Sequence, residues 1–269
     1  MKEDFMDRRS IMTAAAAVAA LSAARHVAAQ QVQQPAAPKL QRLYYNPLKS
    51  PADIKDWVME GAGHVDFELG KMRLTSTLPH PQDPVSDPKN QSNFVFWNPE
   101  VFPDEVEMRW NFTALEEPGL AIFFFGSRGI LPDGGDCHVL DKRLKPRAGQ
   151  VYDQYTKSDL SSLQIAYFRR RWPEERAFHL SNLRRAPGFE MLAQGGDPLP
   201  DVKDATPPYR IRLAKRSTGV EFYINDLRVV DWKAGDPAPR SQWPGAGSTG
   251  FRQMAPLTAV YSDFEVFKL

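Results

Sequence analysis

Two runs in the middle of the chain carry the side chains best suited to chemistry. They are Leu163–Arg171 (LQIAYFRRR) and Ala177–Arg185 (AFHLSNLRR), joined by WPEER. Strand side chains alternate between two faces. Leu163, Ile165, Tyr167 and Arg169 therefore share one face, and Gln164, Ala166, Phe168 and Arg170 the other. In the second run Ala177, His179, Ser181 and Leu183 alternate with Phe178, Leu180 and Asn182. Tyrosine and histidine move protons, while arginine and neutral amides cancel the charge of a carboxylate or bind hydroxyls. That set suits β-elimination from a uronic acid, and Arg252 and Gln253 add to it. The competing reading is structural. In it Tyr167 packs in a core, His179 is a satisfied buried ring, and the arginines pair with Glu174 and Glu175.

Hydrolysis of a glycosidic bond asks for something else, two carboxyl groups about 5–5.5 Å apart in a retaining enzyme. Glu105-Val106-Glu107 and Asp66-Phe67-Glu68 each put two carboxylates on one strand face. Glu107 is the better candidate, because Arg109 and Asn111 share its face opposite a strongly apolar one. The E-x-D-x-x-E run of laminarinase-like enzymes is absent. A third chemistry needs no catalyst: sugar rings stack on aromatic faces while polar groups bond their hydroxyls. Trp97, Trp172, Tyr152, Tyr155 and Trp243 stand at expected strand ends or in loops, where such a platform forms. The candidate set is then Glu107, Tyr167, Arg169 and His179 as catalytic groups. Arg109, Asn111, Trp97, Tyr152, Tyr155, Asn182, Arg252 and Gln253 are expected to bind substrate.

Other chemistries find little support. A formal net charge of +1 argues against nucleic acid or an anionic membrane held by bulk charge. One cysteine, Cys137, excludes an intrachain disulfide and offers too little for a thiolate metal site. The histidines His64, His80, His138 and His179 lack close spacing, so no catalytic metal is expected. Asp263 in YSDFEV is the one carboxylate weighed for a structural calcium, which takes six to eight oxygens. Gly134-Gly135-Asp136 lacks the lysine of a phosphate loop, and no nucleophile-elbow serine is present.

The elements that must position these residues are strands. The alternation predicts Arg42–Tyr45, Trp57–Glu60, His64–Leu69, Lys71–Ser76, Asn93–Trp97 and Asp104–Phe112. Leu120–Phe125 (LAIFFF) is apolar on both faces, as a central strand is. After the central hairpin come Tyr209–Arg216, Val220–Ile224, Leu227–Trp232, Thr249–Met254 and Leu257–Phe267, with Asn225-Asp226 as a two-residue turn. The stretches 127–160 and 186–208 read as long loops, and long loops are commonly functional. Another proline-studded loop covers 78–89. Many strands without an amphipathic helix predict one two-sheet sandwich over residues 40–269. Ahead of it, Arg8 and Arg9, the apolar run Ile11–Ala24 and Val27-Ala28-Ala29 read as a twin-arginine signal peptide over 1–29. A polar linker follows over 30–39. Export to the periplasm is expected, with no membrane contact after cleavage.

The chain resembles the bacterial domain-of-unknown-function family 1961. The resemblance is carried by LYYNPL (43–48), NFVFWNPEVFPDEVEMRWNF (93–112), IFFFG (122–126), AYFRRR (166–171) and FHLSNLRRAPGF (178–189). It continues through AQGGDPLP (193–200), YRIRL (209–213), INDLRVVDW (224–232) and GFRQMAPL (250–257). It implies the concanavalin A-like lectin/glucanase superfamily and its jelly-roll fold. By fold-level analogy it also implies a plant or algal polysaccharide, with an acidic glycan among the candidates. The expected function is cleavage of an oligo- or polysaccharide in a concave sheet groove, by a glycoside hydrolase or polysaccharide lyase. The alternative is a non-catalytic, lectin-like glycan binder.

Overall fold

Alternating apolar and polar residues become strands from one end of the folded unit to the other. The computed structural model describes residues 40–78, 93–148, 151–235 and 243–269. The expected signal peptide, the linker and nearly all of the 78–89 loop lie outside them. In chain order the strands are β1 (Gln41–Asn46), β2 (Val58–Gly61), β3 (Gly63–Glu68), β4 (Lys71–Ser76), β5 (Asn93–Phe102), β6 (Val106–Glu116), β7 (Leu120–Ile130) and β8 (Asp136–Cys137). They continue as β9 (Leu160–Tyr167), β10 (Leu180–Ala186), β11 (Glu190–Gly196), β12 (Tyr209–Arg216), β13 (Gly219–Ile224), β14 (Leu227–Lys233), β15 (Gly247–Met254) and β16 (Thr258–Lys268). They form two antiparallel sheets. The first runs β14-β13-β12-β6-β16-β4-β3, with β1 beside β16. The second runs β11-β10-β9-β7-β15-β5-β2, with β8 beside β7.

The core lies between the sheets. Met108, Trp110 and Phe112 of β6 face Phe123 and Phe125 of β7, Ile165 and Tyr167 of β9, and Phe251 of β15. Trp110 and Phe123 have ring centroids 4.3 Å apart. Each such ring, fully buried, contributes roughly 1.5–3 kcal/mol of transfer free energy, which makes this face of each strand the one that fixes register. A second, smaller core covers part of the outer face of the second sheet. There Val95, Trp97, Ile122 and Phe124 pack with Val139, Tyr155 and Leu160. Val139, Leu140, Tyr152 and Tyr155 of the expected loop 127–160 thus pack on the sheet, which explains why LAIFFF is apolar on both sides.

Two departures matter for the site. The expected loop 186–208 contains β11, paired with β10 from Leu180↔Gly196 to Arg185↔Glu190. Its apolar residues, Met191, Leu192 and Ala193, are contiguous rather than alternating and two glycines end it, which hides the strand from a periodicity argument. And β9 stops at Phe168, whose φ of 47° lies in the left-handed region, where a side chain costs about 1–2 kcal/mol. Phe168 is buried in the main core beside Tyr167, so two successive rings turn inward and the alternation changes phase. Arg169, expected on the face of Tyr167, emerges on the outer side instead. The Asn225-Asp226 turn forms as expected, with both residues at positive φ.

Candidate functional site

Pairing across the second sheet places Arg252, Ile122, Ala166, Asn182 and Gln194 side by side on one lateral row. The next row carries Phe124, Gln164 and Arg184. Neighbouring strands lie about 4.8 Å apart, so these side chains form a continuous outer surface. Where the second core leaves it open, a cavity of about 310 Å³ is floored by Ile122, Gln164, Ala166 and Asn182. That is the low end of the range for small-ligand sites, about 300–1,000 Å³. Tyr152, Trp172 and Phe189 rim it, and Arg169, Arg184, Glu174 and Glu175 supply its charge.

Each rim residue is held by local structure. Tyr152 precedes the helical turn Asp153–Thr156 and sits edge-on to Phe189, with centroids 4.9 Å apart. Phe189 closes the β10–β11 turn at φ 54°. Trp172 caps the short helix Pro173–Ala177. In that connection Glu175 is buried and fully engaged. It accepts from Arg169 Nη2 at 2.7 Å and from the backbone N–H groups of Arg171 and Trp172 at 3.1 and 3.2 Å. Glu174, by contrast, is exposed and forms no ion pair among the described residues.

Cationic charge dominates the interior. Arg184 stacks on Phe189 with its guanidinium 3.9 Å from the ring centroid and donates to the Phe189 carbonyl at 3.1 Å, with no carboxylate partner among the described residues. Burial, with the like charge of Arg169 nearby, holds its pKa below the usual value. The Tyr152 hydroxyl donates to Gln164 Oε1 at 3.2 Å. Burial raises the Tyr152 pKa, although Arg252, Arg184 and Arg169 all pull the other way. Tyr152 is therefore a protonated phenol at neutral pH.

Arg252 is the unusual group. It is fully buried, and Nε, Nη1 and Nη2 all lack a hydrogen-bond partner among the described residues. Its guanidinium lies 3.9 Å from the Tyr152 ring centroid and 5.4 Å from that of Tyr155. Burial lowers its pKa to about 10, so it is charged at neutral pH. A desolvated cation–π contact returns about 2 kcal/mol. Removing an ion from water costs several kcal/mol after relaxation. The desolvation term wins, and Arg252 is a net burden on folding. Gln164 repeats the pattern on a smaller scale, since its Nε2 is buried without a partner.

Residues 41–266 match the family described as Domain of unknown function (DUF1961). The chain belongs to this family. The "Uncharacterized protein YesU" of Bacillus subtilis (strain 168) is 43% identical over 224 residues, 83% of this chain and 94% of the relative. A Bacillus subtilis crystal structure titled as a protein of unknown function with a galectin-like fold superposes with a TM-score of 0.77 at 40% identity, covering 86% of this chain and 97% of that one. The Bacillus licheniformis β-glucanase superposes at a TM-score of 0.50 and 11% identity, covering 85% and 99%. That likeness establishes the jelly-roll fold alone.

The residues expected to share one trough are distributed over three environments in this DUF1961 chain. Arg169, Asn182 and Tyr152 do converge on the cavity, and Arg252 lies one strand from its floor. With its amide oriented to satisfy both ends, Asn182 accepts from Arg169 Nη1 at 3.1 Å. Tyr167 and Gln253 instead face the main core, a correction required by strand parity. Tyr167 is fully buried and accepts from Trp110 Nε1 at 3.1 Å, while Gln253 Nε2 donates to the Tyr261 hydroxyl at 3.1 Å. Trp97 and Tyr155 are also corrected, from platform to second core. Both are fully buried, and Trp97 Nε1 donates to Glu60 at 2.8 Å. Trp243 stacks on Trp232 with centroids 4.9 Å apart. His179 leaves the site because it precedes β10, where Arg170 Nη2 contacts its Nδ1 at 3.1 Å.

Glu107, Arg109 and Asn111 form the third group, on the outer face of the first sheet. A cavity of about 390 Å³ lies there, yet its charges are already matched. Glu107 is clamped by Arg109 and by Arg212, the latter at 3.1 Å. Arg210 pairs with Asp226 at 2.7 Å and Glu265 with Arg42 at 2.9 Å. Asp263 accepts from Tyr45 and Asn111, both at 3.0 Å, so both oxygens of the carboxylate weighed for calcium serve protein donors. Glu107 has no freedom to act as an acid or nucleophile. Reasoning from sequence missed Gln164, Glu174, Arg184 and Phe189 as members of the site. Gln164 was legible, as the polar residue between Leu163 and Ile165 on the face opposite them.

Proposed function

We propose that this DUF1961 protein is a carbohydrate-active protein that holds an oligo- or polysaccharide on the outer face of the second sheet. The observation that carries this reading is the composition of one cavity. Aromatic rings at Tyr152, Trp172 and Phe189 surround the neutral amides of Gln164 and Asn182, and Arg184 stands among them without a carboxylate partner. Rings accept the apolar faces of sugars, amides match hydroxyls, and unpaired guanidinium favours an acidic glycan. The expected twin-arginine signal agrees with a polymer met outside the cytoplasm.

A cleaving role, by elimination, is the second reading. Tyr152 is kept as a phenol by burial, and Glu174 is the exposed carboxylate lining the same cavity. In an elimination Glu174 takes the proton from C5 of a uronate. The electron pair forms the C4–C5 double bond, the C4–O bond breaks, and the Tyr152 hydroxyl gives its proton to the leaving oxygen. The two-carboxylate hydrolytic route fits less well, because Glu175 is committed to Arg169 and two backbone donors.

A panel of pectic, algal and neutral glycans separates the readings. Retention on a glycan without product supports binding. Absorbance from unsaturated uronates supports elimination, and new reducing ends without that absorbance support hydrolysis. No retention and no product on any glycan overturns the proposal.

A further inference from the structure

The geometry points to Arg252 as a concealed anion subsite, which takes the carboxylate of an acidic sugar in place of the Tyr152 ring that covers it. This inference rests on the glycan reading above and names the feature of the ligand that the site selects.

Four observations lead there. First, Arg252 is fully buried with all three guanidinium nitrogens unpartnered. No acidic side chain opposes its charge, for the groups acting on it are the phenols of Tyr152 and Tyr155. Second, Gln164 Nε2, another orphaned group at this site, is also a donor, and the orphaned Tyr155 hydroxyl can donate as well. What the site lacks is acceptors, and a carboxylate is the densest source of them. Third, the register puts Arg252 directly beside Ile122, a floor residue of the cavity. The two residues thus sit on neighbouring strands, about 4.8 Å apart. Fourth, what separates them is the Tyr152 ring, which itself lines the cavity and is only half-buried. The contacts of Tyr152 include the cation–π contact with Arg252, the hydrogen bond to Gln164 and the edge-on packing against Phe189, and of these the one a carboxylate replaces is the cation–π contact. A carboxylate forms a bidentate, charge-assisted pair with a guanidinium, the stronger of the two interactions.

A structural role makes the opposite demands. An arginine retained for stability should donate to carbonyls or carboxylates, as buried Arg170 does to Asp197 at 3.1 Å and to the Leu199 carbonyl at 2.6 Å. Arg252 makes no such bond.

The test measures binding of oligogalacturonates and oligomannuronates, and of the same oligomers after carboxyl reduction, to the full chain by calorimetry. The acidic forms are expected to bind at least tenfold more tightly than the reduced ones. Arg252→Met should abolish that preference while leaving the melting temperature unchanged or higher, and Arg252→Lys should keep part of it. Equal binding of acidic and reduced oligomers overturns the subsite and leaves the glycan reading standing. A preference that survives in Arg252→Met also overturns it, assigning the carboxylate to Arg169 or Arg184. Failure of all oligomers to bind overturns both. Should Arg252→Met fail to fold, Arg252→Lys carries the test, and a preference undiminished in that variant overturns the subsite.

Discussion

Tyr167→Phe separates a core role from a catalytic one. The substitution keeps the ring that packs against Phe112 and Phe222 at 5.1 and 5.7 Å. It deletes only the hydroxyl, which accepts from Trp110 Nε1 at 3.1 Å and also interacts with the Tyr261 hydroxyl. Both Trp110 and Tyr167 are buried, so the indole N–H is left with no acceptor and no water. An orphaned buried donor costs about 1–3 kcal/mol. In a domain of this size each kcal/mol moves the midpoint by about 2–4 °C, so a fall of about 2–12 °C is expected. Thermal unfolding followed by circular dichroism measures the shift, and calorimetry with an acidic oligosaccharide measures binding. The melting temperature should drop while affinity at 25 °C stays within about twofold, an insignificant energy against RT ln 10 of about 1.4 kcal/mol. An unchanged midpoint combined with lost binding or turnover would refute the placement of this hydroxyl in the core.

Three further outcomes follow from the same geometry. Gln164→Leu removes a buried Nε2 that has no partner but also the Oε1 that accepts from the Tyr152 hydroxyl, so the two effects oppose and stability should change by less than about 1 kcal/mol while oligosaccharide affinity falls about tenfold; a larger stability loss with intact affinity contradicts this. Gly126 sits at φ +58° in β7, and a Cβ there would meet the Gly245 carbonyl and Lys215 Cε at 3.1 Å. Gly126→Ala should therefore destabilise by about 1–2 kcal/mol in urea unfolding. The hydrogen bonds from Arg143 lower the Asp141 pKa to about 2. Because this folded value lies below the unfolded one of about 3.9, the stabilisation is complete above pH 4 and disappears as pH falls toward 2. Carbon-13 titration should show that midpoint, and Arg143→Ala should return it to the ordinary carboxylate range.

Much of the architecture was readable because apolar alternation is a local signal. Val106, Met108, Trp110 and Phe112 are inward for the reason their spacing implies, and the jelly roll follows from a chain of such strands. The turn at Asn225-Asp226 was legible for the same reason, since its chemistry resides in two adjacent residues. The site was only partly legible. Parity predicted which residues share a face within a strand but not which sheet that strand joins, so Glu107 and Arg252 were assigned one trough across opposite surfaces. Nor did parity reveal that Trp97 and Tyr155 would be sealed in a second core with Val139 and Leu160, because that packing brings together segments far apart in sequence. The strand β11 was not legible because its apolar residues are contiguous and its partner, β10, supplies the pairing information. Arg252 could be flagged as a charge within a strand, but its lack of partners among the described residues is a property of the fold alone.

The left-handed residue at Phe168 has a consequence for how this surface tolerates change. Because the phase shift occurs at a single backbone position, the charged segment after it is keyed to that torsion rather than to the ribbon before it. Substitutions at 163–167 can thus tune the interior without re-aiming Arg169, whereas a change that drove residue 168 back to negative φ would rotate Arg169 away from Asn182 and Glu175 together. That one torsion works as a hinge pin between hydrophobic scaffold and ligand-facing rim.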